Sequence, residues 1–486
     1  MEASESSSES GNVGGPGGVL PEAPIFADAP EVDALGTVLS VATCLAMAKY
    51  NDAVGHLVGA CKALYNDPIL WGAFKSHRGG ARRRTRLMHA AWVGSMDRAR
   101  FLLDRGAGVE ACSVYVEGDE FGGGTALMFA CRAGHLGVAR LLIERGANVN
   151  CQREYDGSTP LIQAARMGHL EVAHLLVEKG ANVNSACTGG GWTALMGASQ
   201  NGHLGIAQLL VEKGANVNAA KTGDDWTALM GASQNGHLGI AQLLIEKGAN
   251  VNAACTGDGW TVLLWAIWNG HLEMAQLLVE RGAKVNAART NEGGTALMLA
   301  SHKGHLEIAQ FLVEGGANVN AAMTNNGWTA LMWASQGGHL ASQGGHLGIA
   351  QLLVKRGANV NAVATDNGST ALMLASWHGH LGIAQLLVGR GANVNAACTG
   401  DGWTALMGAS QEGHLVVAQL LVKRGANVNA AATDNGSTAL MLASQSDQLE
   451  TIRFLLSRGA SRTALNFAGK TAYALSIVSI RPLLKP

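Results

Sequence analysis

The chain of 486 residues has 35 Lys and Arg against 36 Asp and Glu, which leaves a formal net charge of −1. This balance excludes a globally basic nucleic-acid-binding protein and a highly charged tail protein, although it leaves local charged patches open. Apolar residues make up 48% of the sequence and charged residues only 15%, so a wholly disordered chain is excluded as well.

Residues 1–27 are rich in Ser, Glu, Gly and Pro, a composition that predicts a disordered tail. The acidic, serine-rich start has no apolar stretch, so it does not resemble a secretory signal. No run approaches the roughly eighteen apolar residues that cross a membrane, and eight cysteines are too few for a disulfide scaffold. A soluble, cytoplasmic protein with no membrane partner is therefore expected.

Residues 28–80 regain an apolar periodicity that predicts two or three helices. One interpretation is a helical cap that covers the apolar end of the region that follows. The alternative rests on residues 57–64 and 66–71, Leu-Val-Gly-Ala-Cys-Lys-Ala-Leu and Asn-Asp-Pro-Ile-Leu-Trp, which resemble the tail of an F-box. That resemblance implies a module that docks a protein on a ubiquitin-ligase scaffold, and both interpretations stay open.

Five arginines stand at positions 78, 82, 83, 84 and 86. Such a run can serve as a nuclear-import signal or as a phosphate-binding patch. A solvated linker is the favoured interpretation, because short basic runs are common and no aromatic residues are interleaved with the arginines. A nuclear location is therefore the second expectation beside the cytoplasm.

Residues 81–486 carry an internal repeat, marked by a Thr that precedes Ala-Leu-Met or a close variant. The period is 34 residues over most of this region, with a step of 40 from the degenerate first copy, one of 41 where seven residues are inserted, and one of 33 before the last copy. A fixed period of this length indicates a solenoid, in which each unit packs on its neighbours. Eleven copies and a final half copy are predicted, and their first threonines are Thr85, Thr125, Thr159, Thr193, Thr227, Thr261, Thr295, Thr329, Thr370, Thr404, Thr438 and Thr471.

One copy shows the predicted structure of the unit. Thr193 is a suitable N-cap for a short helix over residues 194–201, which the following Gly-His breaks. Apolar residues spaced by three and four predict a second helix over residues 204–213, and Gly214 ends it. An Asn-Val-Asn segment and a turn such as Asp258-Gly259 then predict a hairpin-like connector.

The pattern Gly-x-Thr-Ala-Leu-Met-x-Ala, Gly-His-Leu, Leu-Leu-Val and Gly-Ala-Asn-Val-Asn resembles the ankyrin repeat. The resemblance implies an all-α ankyrin-repeat solenoid whose concave face, formed by hairpins and first helices, binds a partner protein. Two departures recur: only Pro160 follows the Thr as the family's proline does, and Met or Ile replaces a family His. The tetratricopeptide repeat shares the period, but a connector of roughly fifteen residues does not fit a stack of bare helix hairpins.

Two irregularities interrupt the array. Residues 334–340 are repeated without change as residues 341–347. Because the insertion falls at the turn between two helices and contains Gly-Gly, an exposed loop is expected there. At the far end, residues 445–448 lack the Gly-His pair and the copy that begins at Thr471 is incomplete, which predicts a C-terminal cap.

The sequence predicts no catalytic or metal site. One His stands in the Gly-His slot of most copies. Stacked helices lie about 8–10 Å apart, whereas metal ligands lie about 2 Å from one ion, so these histidines are expected to bind nearby backbone groups instead. No Cys-x-x-Cys or phosphate-binding glycine loop is found. A non-enzymatic protein without cofactor or metal is therefore expected.

Tryptophan is concentrated in the positions that vary between copies: before the Thr, inside the first helix and before the Gly-His. The ankyrin resemblance places these positions on the concave face. Trp is a leading interface hot-spot residue, which favours partner binding above all for those on the first helices. For those before the Thr, packing of one hairpin against the next is the alternative. The nine candidates are Trp192, Trp226, Trp260, Trp265, Trp268, Trp328, Trp333, Trp377 and Trp403.

Together these features predict a monomeric protein-protein interaction scaffold. The alternative is a substrate receptor of a ubiquitin ligase, in which residues 32–80 dock the ligase and the array binds the client protein. Nucleic acid is not an expected partner, because the net charge is near zero and no basic face is apparent.

Overall fold

The computed structural model describes residues 84–113, 122–337, 343–476 and 481–485. Over these ranges the chain is a succession of helix pairs, here numbered as repeats 1 to 11 from the N-terminus. The first helices are Arg86–Trp92, Ala126–Ala133, Pro160–Met167, Ala194–Gln200, Ala228–Gln234, Val262–Trp268, Ala296–Lys303, Ala330–Gln336, Ala371–Trp377, Ala405–Gln411 and Ala439–Gln445. The second helices are Met96–Asp104, Leu136–Glu144, Leu170–Glu178, Leu204–Glu212, Leu238–Glu246, Leu272–Glu280, Leu306–Glu314, Gln343–Lys355, Leu381–Gly389, Leu415–Lys423 and Leu449–Ser457.

The array ends in two one-turn helices, Ala472–Leu475 and Arg481–Leu484. The all-α solenoid of eleven copies and an incomplete final copy is thus confirmed. Residues 1–27, residues 28–80 and most of the arginine run lie outside the described residues, so the tail, the cap and the F-box-like module stay predictions.

Each first helix begins at its threonine because the side chain replaces a missing backbone partner. In repeat 4 the Thr193 hydroxyl accepts a hydrogen bond from the Met196 amide at 3.3 Å, which is the bond expected of an N-cap. In repeats 7 and 9 the sulfur of the methionine three residues on also accepts from the threonine amide at 3.4 Å. The methionine that stands in place of the family's His therefore retains part of its hydrogen-bonding role.

The core lies between the two helices of a repeat and the helices of the repeats beside it. In repeat 4, Leu195 and Met196 of the first helix and Ile206 and Leu210 of the second are at most 1% exposed. First helices of neighbouring repeats contact each other more extensively than second helices do. The first helices therefore carry more of the contact between repeats than the second helices do.

The hairpin-like connector is also confirmed. An antiparallel bridge joins Ala220 to Thr227, and the Lys221 amide donates to the Trp226 carbonyl at 2.8 Å. Consecutive hairpins bind each other, since the Thr222 amide donates to the Gly190 carbonyl of the previous hairpin at 3.1 Å. The hairpins therefore form a second row of contacts beside the helices.

An asparagine clip joins consecutive repeats and was not predicted. Asn218 Nδ2 donates to the Gly248 carbonyl at 2.9 Å, and its Oδ1 accepts from the Asn250 amide at 2.8 Å. One side chain thus binds two backbone groups of the next repeat. The same pair of bonds recurs at Asn150, Asn184, Asn252, Asn286, Asn320, Asn361, Asn395 and Asn429.

We expect Asn252→Ala to lower the free energy of unfolding by about 2 kcal/mol, since it removes two hydrogen bonds of about 1 kcal/mol each. The control is Asn250→Ala, which removes one local side-chain bond, to the Asn252 amide. The equivalent position in the next repeat is Lys284, so the fold tolerates loss of that acceptor. Urea unfolding measures both variants, and equal losses would contradict the clip.

The prediction of an exposed loop for the duplicated segment is wrong in part. The second helix of repeat 8 begins at Gln343 and runs to Lys355, four residues longer at its start than its counterparts. Gly344 and Gly345 are therefore helical, at a cost of about 1 kcal/mol each relative to Ala. His346 on this helix is 2% exposed, and its Nε2 lies 3.0 Å from the His302 carbonyl.

Candidate partner-binding surface

The hairpin and first-helix tryptophans of repeats 5 and 6 form one contact network. The Trp265 ring on the first helix stacks on Trp260 of the adjacent hairpin, with ring centroids 4.4 Å apart. Its other neighbour is Trp226 of the previous hairpin, at 5.0 Å edge to face. Trp268, one helical turn further on, meets Trp260 edge to face at 5.6 Å. Both geometries are favourable for aromatic pairs.

A histidine extends this network across repeat 7 to repeat 8. The His302 ring lies 6.0 Å from Trp268 and 4.7 Å from Trp333. Trp333 in turn contacts Trp328 of its own hairpin at 4.8 Å. A continuous path of rings therefore spans four consecutive repeats. We call it the aromatic cluster, and its members are Trp226, Trp260, Trp265, Trp268, His302, Trp328 and Trp333.

The predicted tryptophans differ in how deeply they are buried, and this difference indicates their roles. Trp260 is only 8% exposed and is covered by its neighbours, so it matches the alternative interpretation, a ring that packs the hairpins. The other tryptophans of the cluster are half-buried, so each residue keeps part of its surface accessible to a partner. Outside the cluster, Trp377 is 37% exposed and lies 5.3 Å from Trp403. Trp192 has no aromatic neighbour among the described residues.

Comparison with known families decides the identity of the repeat. A family model described as ankyrin repeats (3 copies) matches the chain without a gap from residue 43 to residue 466. The chain belongs to the ankyrin repeat family. A search of curated proteins returned no match. The overlapping matched segments are residues 43–153, 87–187, 149–221, 218–289, 287–342, 337–398 and 396–466.

Two cations of the ankyrin array lie on the cluster, and the sequence did not single them out as site residues. Lys303 Nζ lies 3.6 Å from the Trp268 ring centroid, and burial lowers the pKa of this amine. The Arg289 guanidinium lies 5.0 Å from the Trp260 ring and 3.1 Å from the Glu292 carboxylate. Cation–π contacts of this kind add to the stability of the surface. Arg289 is paired with Glu292, so the positive charge beside the rings is that of Lys303.

Two thiols of the ankyrin array have a raised pKa. Burial raises the pKa of Cys255 to about 11 and that of Cys131 well above its usual range, so both thiols are protonated at neutral pH. Over the described ranges, no group of three or more His, Cys, Asp or Glu side chains is placed to hold a metal. Nor is any helix there long and apolar enough to cross a membrane.

The Gly-His histidines bind backbone, as predicted, and their partner is the previous repeat. His203 Nε2 lies 3.2 Å from the Arg166 carbonyl and His237 Nε2 lies 3.1 Å from the Gln200 carbonyl. Glycine precedes each of these histidines and packs on the next ring, since a Cβ at Gly202 would meet the His237 ring at 2.7 Å. These histidines therefore form a column of contacts between ankyrin repeats.

We expect the array to lose stability as the pH falls from about 6.5 to 5. Burial lowers the pKa of His203, His305 and His380 below the ordinary 6.5. The unfolded chain then takes up protons at a higher pH than the folded chain. The stability that these neutral histidines contribute is therefore fully present above pH 6.5 and is lost as the pH falls below it. The measurement is the melting temperature at pH 7.5 and pH 5.

The control for this pH dependence replaces the same three histidines with glutamine. Gln448 occupies the equivalent slot in repeat 11 and packs on Gly413, so the substitution fits the fold. The triple variant should show a smaller drop in melting temperature on acidification. An unchanged drop would mean that other groups cause it.

Proposed function

We propose that the chain is a protein-interaction scaffold whose partner covers the aromatic cluster. Ankyrin repeats generally bind other proteins, and this array differs from a uniform one in where its tryptophans stand. The observation that carries the proposal is the continuous path of rings from Trp226 to Trp333. At equivalent slots other repeats have small or aliphatic residues, such as Gly294, Ser369 and Leu374.

The energetics of association favour this surface. Half-buried indole rings are already held in place by their neighbours, so a partner gains contact area with little loss of side-chain entropy. Trp and Arg are among the most frequent interface hot spots, and hot spots cluster near the centre of an interface. The cluster brings together five half-buried tryptophans with Arg289 and Lys303, which is the composition expected of such a centre.

Footprinting of the captured complex tests the proposal. The full chain is used to capture a partner from a lysate, and hydroxyl-radical labelling is compared with and without the bound partner. We expect protection of Trp268 and Trp333, with labelling of Trp192 unchanged as the internal control. Protection confined to second helices, with the cluster still labelled, would contradict the proposal.

The ubiquitin-ligase alternative depends on residues 32–80, outside the described part of the chain, and stays a prediction. Its test is co-purification of a cullin-scaffold adaptor with the full chain. Recovery that is lost on deletion of residues 32–80 would support that role, and absence of the adaptor would leave the scaffold alone.

A further inference from the structure

The second helices of repeats 8 to 11 end in positive charge. In repeats 2 to 7 the last residue of each second helix is Glu, and in five of these six repeats the next residue is Lys or Arg, so the two charges offset each other. In repeats 8 to 11 a Lys, Gly, Lys and Ser stand in place of that Glu, while an Arg follows in each repeat. We call the exposed cations at these four helix ends the basic stripe, and its members are Lys355, Arg356, Arg390, Lys423, Arg424 and Arg458.

The asparagine clip holds these helix ends side by side. Asn361 Nδ2 donates to the Gly391 carbonyl at 3.1 Å, and Gly391 directly follows Arg390. The same bond fixes the glycine that follows the Arg in each of the other three repeats. Because stacked elements of neighbouring repeats lie about 8–10 Å apart, the basic stripe extends about 25–30 Å along the array.

No carboxylate of the described residues lies within ion-pair distance of the basic stripe. Between repeats 1 and 2, Arg145 binds Asp104, the last residue of the previous second helix, at 2.8 Å. The equivalent residues in repeats 9 and 8 are Arg390 and Lys355, which are both cations. The second helices of repeats 8 to 10 contain no Asp or Glu, and Glu450 of repeat 11 pairs within its own helix, at the opposite end. A counter-charge for the stripe must therefore come from another molecule.

The helix dipole explains one cation at each helix end but not two. Cations are favourable at helix C-termini, and repeats 2 to 6 meet that need with one cation beside a Glu. In repeat 8, Lys355 and Arg356 stand next to each other, so like-charge repulsion is added. Such a surface is favourable once a negatively charged partner covers it.

The spacing and chemistry of the basic stripe suit an extended acidic peptide. An extended chain advances about 3.3 Å per residue, so every third residue reaches a new repeat. The residue after each of the four helices is Arg, whose planar guanidinium binds a carboxylate through two parallel hydrogen bonds. Single-stranded nucleic acids also use aromatic side chains for base stacking, and the second helices of repeats 8 to 10 have no Phe, Tyr or Trp.

We propose that the basic stripe binds an acidic segment of a partner protein, with a carboxylate at least at every third residue over about ten residues. The cations of neighbouring repeats lie about one Debye length apart at physiological salt, so each repeat binds its own carboxylate largely independently. This surface lies on the second-helix ends, whereas the aromatic cluster lies on hairpins and first helices. The proposal therefore goes beyond the proposed function and does not depend on it.

Binding of a fluorescent peptide to the full chain tests the proposal. The probe has about ten residues with Glu at every third position, and its fluorescence anisotropy reports binding. The test variant gives repeats 8 to 11 the Glu that repeats 2 to 7 carry in the same slot, so the fold accepts the change. We expect binding at least about tenfold weaker, because two cations are lost and each remaining Arg gains an adjacent carboxylate. Its substitutions are Lys355→Glu, Gly389→Glu, Lys423→Glu and Ser457→Glu.

The control variant has the same change in net charge at helix ends outside the basic stripe. Each Lys→Glu change removes two positive charges and each Gly→Glu or Ser→Glu change removes one, so both variants become equally more negative. Peptide binding to the control should change less than about twofold, since its sites lie several Debye lengths away. Equal losses in the two variants would overturn the proposal, because net charge would then be the cause. The control substitutions are Lys179→Glu, Lys213→Glu and Lys247→Glu.

Carbodiimide coupling, which joins a carboxylate to an amine, locates the bound peptide. We expect coupling to Lys355 and Lys423, and coupling mainly to other lysines would overturn the proposal. A lower melting temperature of the test variant with unchanged peptide binding would mean that the cations serve only the helix ends. Tighter binding of duplex DNA, or of phosphatidylserine vesicles, with loss in the test variant would overturn the choice of a protein segment.

One variant separates this proposal from the proposed function. Trp265→Leu with Trp268→Gln should leave peptide binding unchanged while it weakens partner capture. If peptide binding falls as well, the peptide lies on the aromatic cluster and the proposal for the basic stripe fails. If peptide binding persists and partner capture is unaffected, the basic stripe stands and the proposed function of the cluster fails.

Discussion

Gly368→Ala should lower the free energy of unfolding by about 3 kcal/mol. Gly368 has a φ of +75°, and a Cβ there would lie 2.5 Å from the backbone nitrogen of Thr399 in the next hairpin. That nitrogen donates to the Asn367 carbonyl at 3.0 Å, so the added methyl group would force apart the bond that joins two hairpins. An alanine in the left-handed backbone region costs about 1 kcal/mol, and the crowding caused by its methyl group costs about 1–3 kcal/mol more.

The matched control for this clash is Gly391→Ala. Gly391 has a φ of +86°, yet nothing lies within 4 Å of a Cβ built on it. The control variant therefore has the backbone strain without the clash. We expect it to lower the free energy of unfolding by about 1 kcal/mol. Urea unfolding of the two variants gives the difference directly. Equal losses would show that the hairpins do not depend on close packing at this glycine.

Trp265→Leu combined with Trp268→Gln should weaken partner capture at least about 30-fold, the effect of about 2 kcal/mol at a hot spot. Each replacement is the residue that sibling repeats use at the same slot, Leu299 and Gln234 for example. The fold can therefore accept both. Some stability is lost as well, because Trp265 packs between Trp226 and Trp260. Quantitative capture from a lysate, normalised to folded protein, measures the effect.

The control for the tryptophan variant is the pair outside the cluster. Trp377→Gln with Trp403→Ser removes two rings that contact each other at 5.3 Å, again with residues that sibling repeats carry, such as Gln411 and Ser437. Partner capture should be unchanged. If this pair and not the cluster governs capture, the partner binds further along the array. If neither pair does, the tryptophans serve packing alone.

Features that depend on neighbours in sequence were predictable. Thr193 caps its helix through an amide three residues away, and Gly214, with a φ of +85°, ends the next helix. Both effects act within a single turn of backbone, so the residue types decide them. The 34-residue period repeats these local signals, and the fold and the repeat number follow from it.

Features that depend on the next repeat were not predictable. Asn218 binds groups 30 and 32 residues further on, and the sequence indicated only an extended segment there. The recurrence of the second asparagine of Asn-Val-Asn, while the first becomes Lys284 in one copy, was the available signal. The prediction for the duplicated segment was wrong in part, because Gly-Gly was expected to prevent a helix, whereas the second helix of repeat 8 begins at Gln343 and includes both glycines.

The sequence by itself determined the ankyrin fold, the slots in which tryptophan stands and the backbone binding of the Gly-His histidines, since each is a matter of local chemistry repeated at a fixed interval. Only the tertiary structure decided which rings meet. Trp226 and Trp265 are 39 positions apart in the sequence, yet their rings touch, because stacking brings the first helix of one repeat against the hairpin of another. Burial of Trp260 and the cations on the rings follow from the same stacking.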